Sequence, residues 1–159
     1  LATVINSLAI QDAFERADID ARVMTAVPIE AFAEFYSRNK AVSHLNRGKV
    51  TIFGCGMGNP FFSTDTAAVL RGAEIGADVV LMAKNIDAIY TDDPRKNPDA
   101  KKLSEVDYDY ILKNHLSAID TCAASFAMDN HMKLHIFGLD DSENIYRVIM
   151  GEKIGTIVD

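Results

Sequence analysis

The sequence has little of what would mark a special class of chain. Its 159 residues include only two cysteines, Cys55 and Cys122, far apart and in no Cys-x-x-Cys pair. That argues against a disulfide-stapled secreted fold and for a reducing, cytoplasmic setting. Four prolines and nine glycines are too few for a collagen-like or low-complexity chain, and 48% apolar content is too much for a disordered one. No apolar run approaches the ~18 residues that span a bilayer. Asp12 and Glu15 stand where a signal peptide would keep an uncharged apolar centre, so no membrane association is expected. A basic excess is missing too. The net charge of −7 disfavours nucleic acid and anionic membranes, and an anionic ligand has to be met by local donors. His44, His115, His131 and His135 show no i, i+4 pairing with Cys or Glu, so no metal held by protein ligands alone is expected.

What is present is an alternation of helical and strand-like patterns. Residues 1–17 carry apolar side chains near a 3.6 period and predict a helix with one buried face. "ARVMTAV" (21–27) reads as a strand stopped by Pro28, and "KAVSHLN" as a helix closed by Gly48. "KVTIFG" (49–54) has the β-branched composition of a strand buried on both faces. A helix after Thr64 or Asp65 as N-cap, a strand at 78–84 and a polar, turn-rich segment at 91–102 follow. Helices are expected at 105–114 and 117–130, the second opening with Ser117-x-x-Asp120 as a capping-box-like pair. A strand at 133–138, a helix capped by Asp141 and ended by Gly151, and a strand in "GTIVD" complete the chain. The pattern predicts a single α/β domain with a mainly parallel sheet covered by helices on both faces. Ligands then bind beyond the carboxyl ends of the strands.

The stretch "GCGMGNPFF" (54–62) joins the 49–54 strand to the next helix. Helix N-termini carry free N–H groups and a positive dipole end that suit phosphate, and glycine lets backbone approach a ligand closely. Asn59, Ser63 and Thr64 add the paired donors and acceptors that reading a nucleobase edge requires. The Gly-Lys-Ser/Thr ending of a Walker A loop is absent, and a tight turn into a capped helix explains the same residues equally well.

"GCGMGNPFFSTDTAA" closely resembles the signature of bacterial uridylate (UMP) kinases, members of the amino-acid-kinase superfamily. The likeness continues through "LRGAEIGADVVLMAKNIDAIYTDDPRK" to "VIMGEKIGTIV", and residues 1–27 are similar to the family's central helix and following strand. The resemblance implies a three-layer αβα fold and transfer of the γ-phosphoryl group of ATP to UMP, with Mg2+, in pyrimidine nucleotide biosynthesis. It also implies a homohexamer with GTP as activator and UTP as inhibitor. By resemblance, Met57, Gly58, Asn59, Pro60, Phe61, Phe62, Ser63 and Thr64 surround UMP, with Asn59 and Thr64 as the main polar contacts. Asp65 then falls where donor and acceptor phosphates meet, and Asp120 matches a second acidic residue of the active centre or serves only as a helix cap. Lys84, Asn85, Tyr90 and Asp93 match the ATP side, with Tyr90 against the adenine.

Cys55 and Met57 stand where the family usually has Gly and Thr, so a hydroxyl contact to the acceptor is lost. The family's Lys-x-Ser-Gly loop and a second glycine-rich loop, which bind the transferring phosphates, are not in these residues. The sequence also opens at Leu1 inside a helical pattern without Met, so the chain is expected to correspond to the C-terminal two thirds of such a kinase and to be weak or inactive alone. Two alternatives remain: another amino-acid-kinase enzyme acting on aspartate, acetylglutamate or carbamate, and a non-catalytic nucleotide-binding or oligomerisation piece. The Asn59-Pro60-Phe61-Phe62 run argues against the first.

Overall fold

"ARVMT" forms the central strand of a three-stranded parallel sheet, and its burial shows why these residue types are there. In this computed structural model, which describes Leu1–Asp159, strand β1 (Ala21–Thr25) lies between β2 (Glu34–Phe35) and β3 (Val50–Gly54). Ala21, Met24 and Thr25 are fully buried, and the Thr25 hydroxyl, out of water, donates to Val27 O at 2.8 Å. The register runs from Ala21 opposite Val50 to Thr25 opposite Gly54. By contrast β3 sits at the sheet edge, and Val50 to Phe53 are only half-buried. The both-faces-buried expectation for 49–54 is therefore corrected: β-branched composition marks a strand but does not say which strand is central.

Helix α1 (Ala2–Arg16) packs against this sheet through small side chains. Val4 and Ser7 are its buried residues, and a Cβ on Gly54 would lie 3.1 Å from Ser7 Oγ. The buried face is narrower than the apolar pattern predicts, because Leu1 and Ile5 are 90% and 69% exposed. Helix α2 (Arg38–Leu45) is capped by Ser37, whose side chain accepts from Lys40 N, and it ends ahead of Gly48 at φ +75°. These elements make one compact unit, Leu1–Ala67, and Ala68–Asp159 make a second. Helix α3 (Thr64–Ile75) begins in the first unit and continues in the second.

The second unit holds a sheet in the order β4 (Val80–Lys84), β8 (Leu134–Gly138), β9 (Thr156–Val158), β7 (Glu105–Val106). A separate antiparallel hairpin joins β5 (Ile89–Tyr90) to β6 (Lys102–Leu103). Four of the six strand pairings in the chain are parallel, β8–β9 and β5–β6 being the exceptions. Leu134, Ile136 and Val158 are fully buried among Val69, Ile89 and Ile111. Each such side chain contributes roughly 1.5–3 kcal/mol relative to exposure. Ala123, Ala124 and Ala127 put a flat, fully buried face on helix α5 (Thr121–Asp129). Gly72 on α3 also serves close packing, since a Cβ there would meet Val80 Cγ2 at 2.7 Å.

Two expected elements change. Residues 105–106 are strand β7 paired with β9, and helix α4 (Tyr108–Lys113) starts later, with Asp107 Oδ1 accepting from Tyr110 N at 2.6 Å. A two-residue strand leaves no period to read, and the Asp that looks like helix interior is the cap. Asp120 is likewise the N-cap of α5, accepting from Ala123 N at 3.0 Å, and not the last member of a box opened by Ser117. Helix α6 (Glu143–Ile149) ends as expected, with Gly151 at φ +88°, but its N-cap is Ser142, which makes no side-chain cap bond, while Asp141 Oδ1 just before it accepts from Glu143 N at 2.9 Å.

Candidate functional site

Apart from Asp120, the residues singled out in sequence fall in two places, one in each unit. In the first unit, the chain leaving β3 turns through Cys55 (φ +68°), Gly56 (φ +58°) and Gly58 (φ +75°), closed by Gly58 N donating to Cys55 O at 3.0 Å. Gly58 is required twice over: its φ is left-handed, and a Cβ would sit 2.9 Å from Ala26 O. Met57 is half-buried, and Gly58, Asn59, Pro60, Phe61, Phe62, Ser63 and Thr64 are exposed. Phe61 is the extreme, fully exposed with φ +70°, a conformation that costs a bulky residue energy. The cap of α3 is Ser63, one residue earlier than expected: its Oγ accepts from Thr66 N at 3.1 Å and its carbonyl from Ala67 N. Thr64 and Asp65 are thereby the first helical residues, and half-buried Asp65 lies in the turn where the helix dipole favours negative charge.

In the second unit, β4 and β8 run parallel with Lys84 opposite Gly138, so both carboxyl ends open into the same space. That space is a cleft of about 880 Å³ lined by Lys84, Asn85, Tyr90 and Asp93 together with Asp87, Arg95, Lys96, His115, Ser117 and Asp140. All four residues nominated for a nucleotide's donor side thus share one concavity at the strand ends where α/β folds bind ligands. Lys84 Nζ donates to Ala118 O at 2.6 Å, and Leu139 N to Lys84 O at 2.8 Å, which ties the loops after β4 and β8 together. Asp93 nucleates its own turn, accepting from Arg95 N at 3.0 Å. Asp120 is not among the lining residues, while its neighbours Ser117 and Ala118 are.

Asp87 is one of the lining residues that sequence reading passed over, although it lies inside the quoted run "AKNIDAIYTDDP". Its carboxylate accepts from the Tyr90 hydroxyl at 3.0 Å and from Lys102 Nζ at 2.9 Å. The Lys102 bond, chiefly, holds the Asp87 carboxyl below its ordinary range against the opposing effect of burial, with the Tyr90 bond adding a lesser pull in the same direction as Lys102. The same bond to Asp87 raises the Tyr90 phenol. Elsewhere, burial pushes the Tyr108 phenol well up, and its hydroxyl donates to Met132 O at 2.6 Å.

Sequence and structure comparisons identify the family and the fold. Residues 1–138 match the family model described as the amino acid kinase family. The chain belongs to the amino acid kinase family. A structure of UMP kinase from Bacillus anthracis superposes with TM-score 0.93 at 35% identity, covering 99% of this chain and 65% of that one. A UMP kinase from Ureaplasma parvum gives TM-score 0.93 at 31% identity, over 99% of this chain and 68% of that one. A uridylate kinase from Archaeoglobus fulgidus gives 0.62 at 27%, over 76% of this chain and 57% of that one. This amino acid kinase chain thus spans about 65% of the length of the Bacillus anthracis protein. Its α/β fold with parallel-containing sheets is the family's fold.

Proposed function

We propose that the protein is a UMP kinase: ATP gives its γ-phosphoryl group to UMP, the bond from γ-phosphorus to the ADP oxygen breaking as one forms to a UMP phosphate oxygen. The observation that carries this reading is the "GNPFFSTDTAA" run, whose first six residues, 58–63, are an exposed loop ahead of helix α3, in a chain whose matches at 31–35% identity bear the name UMP kinase. Asn59 and Thr64 would read the uracil edge, with the backbone from Met57 to Ser63 and Pro60, Phe61 and Phe62 shaping the seat. Lys84, Asn85, Tyr90 and Asp93 would hold ATP in the second unit's cleft. Asp65 and Asp120 are the acidic residues proposed for the chemistry.

Phosphoryl transfer passes through a loose transition state, so the chain's part is to position two nucleotides and match the charge that develops. No group of three or more His, Cys, Asp or Glu side chains gathers to hold a metal ion. These residues do not fit a cage of protein ligands, and Mg2+ would come bound to the oxygens of ATP, as is usual for this cation. A homohexamer, GTP activation, UTP inhibition and a cytoplasmic location belong to the same reading.

Thermal unfolding with UMP, CMP, AMP and ATP tests it. At about a hundredfold excess over Kd, UMP should raise Tm by about 5–10 °C and CMP and AMP much less. Asn59→Ala should remove the UMP shift and leave the ATP shift. Equal shifts for all monophosphates, or none, would end the proposal.

A further inference from the structure

We infer that Asp87 is a positioning residue that holds the Tyr90 ring against the cleft wall, so that a purine nucleotide meets a preset aromatic face. This rests on the nucleotide reading of the cleft. Tyr90 and Lys102 are cross-strand partners in the β5–β6 hairpin. The Asp87 carboxylate bonds to both, accepting from Tyr90 Oη at 3.0 and 3.2 Å and from Lys102 Nζ at 2.9 Å. The next pair of the hairpin, Ile89 and Leu103, is bridged in the same way by Thr156, which accepts from Ile89 N at 2.8 Å and donates to Leu103 O. One bridge is buried in the unit and the other stands in the cleft.

Asp87 is itself held in place. A Cβ on Gly138, at the end of β8, would lie 3.1 Å from Asp87 Cα and 3.3 Å from its Cβ, so the turn carrying Asp87 rests on the strand end. A tyrosine ring turns about two side-chain bonds, and a tether at its far end removes that freedom before any ligand arrives, which is how preorganisation raises affinity. The Asp87–Lys102 pair is about half exposed, and exposed ion pairs add little to stability. The effect of losing Asp87 therefore belongs mainly in ligand affinity and not in folding.

The test is calorimetric titration of ATP and of inorganic tripolyphosphate into the wild-type protein and its Asp87→Ala, Asp87→Asn, Tyr90→Ala and Asp87→Ala/Tyr90→Ala variants, with UMP binding as the check on folding. Asp87→Ala should weaken ATP about five- to tenfold and leave tripolyphosphate unchanged. Asp87→Asn, which keeps an acceptor for the hydroxyl, should retain most of the affinity. The double variant should be no weaker than Tyr90→Ala alone. Ring signals of Tyr90, recorded by NMR without nucleotide, should shift or broaden in Asp87→Ala. ATP binding indifferent to Asp87→Ala, an equal loss in the Tyr90→Ala background, or a loss shared by tripolyphosphate overturns this inference alone. No ATP binding by the wild-type protein overturns the nucleotide reading and this inference with it.

Discussion

The loop of the first unit and the cleft of the second are held in shape by different means. From Cys55 to Ser63 the chain is shaped mainly by its own backbone: left-handed residues at 55, 56, 58 and 61, one turn hydrogen bond, and side chains from Asn59 onward exposed, with Thr3 Oγ1 of α1 accepting from Cys55 N at 3.0 Å at its start. The cleft is shaped by side chains that cross from one segment to another, Lys84 to Ala118, Asp87 to Tyr90 and Lys102, Thr156 to Ile89 and Leu103. A backbone-shaped site is vulnerable to an added Cβ, and a side-chain-tied site to a lost hydroxyl or carboxylate. The two regions should therefore fail under different substitutions.

The sharpest break is expected at Gly58. Gly58→Ala combines a left-handed φ with a Cβ 2.9 Å from Ala26 O, and should cost about 1–3 kcal/mol in urea unfolding and abolish the UMP shift. ATP binding should survive. The converse is Thr156→Val, which keeps shape but leaves the buried Ile89 N–H and the Leu103 carbonyl without the hydroxyl. A loss of about 1–3 kcal/mol is expected, with weaker ATP binding and unchanged UMP binding. If either variant damaged both ligands equally, the contrast between the two regions would be wrong.

Asp120 gives a smaller effect. Asp120→Ala should lose about 1 kcal/mol with the cap of α5, while Asp120→Asn keeps the acceptor and should lose almost none. A fall in kcat for Asp120→Asn at unchanged stability would give the carboxylate charge a part in the chemistry. The smallest effect is the pH dependence carried by Asp87. Its folded pKa lies below the unfolded value, so its contribution is full above about pH 4 and is lost as pH falls through the folded pKa. Asp87→Asn should flatten that acid limb of the stability curve, leaving the neutral limb as it was.

Much of the fold was legible because short-range signals are strong here. Gly48 and Gly151 end helices, Asp141 lies just ahead of one, and the largely apolar runs at 21–25, 50–54, 80–84 and 134–138 are strands. Lys84, Asn85, Tyr90 and Asp93, named through resemblance, lie together in one cleft. Three of the misses share one cause, a partner distant in sequence, whereas the caps at Ser63 and Asp120 are local and were misplaced by a few residues. Val50–Phe53 read as fully buried because composition does not tell an edge strand from a central one. Glu105 and Val106 are a strand only because β9, some fifty residues on, pairs with them. Asp87 was not singled out because Lys102 reaches it only across a hairpin.

By itself the sequence determined the alternation of helices and strands, the turns that demand glycine, and the kinship with amino acid kinases, since each is written in neighbouring residues or in an unbroken motif. Only the tertiary structure decided which strand is central, that residues 105–106 form a strand, and that Asp87 and Thr156 bind one hairpin from its two sides. Those outcomes depend on groups that meet through folding, and no local pattern records such meetings.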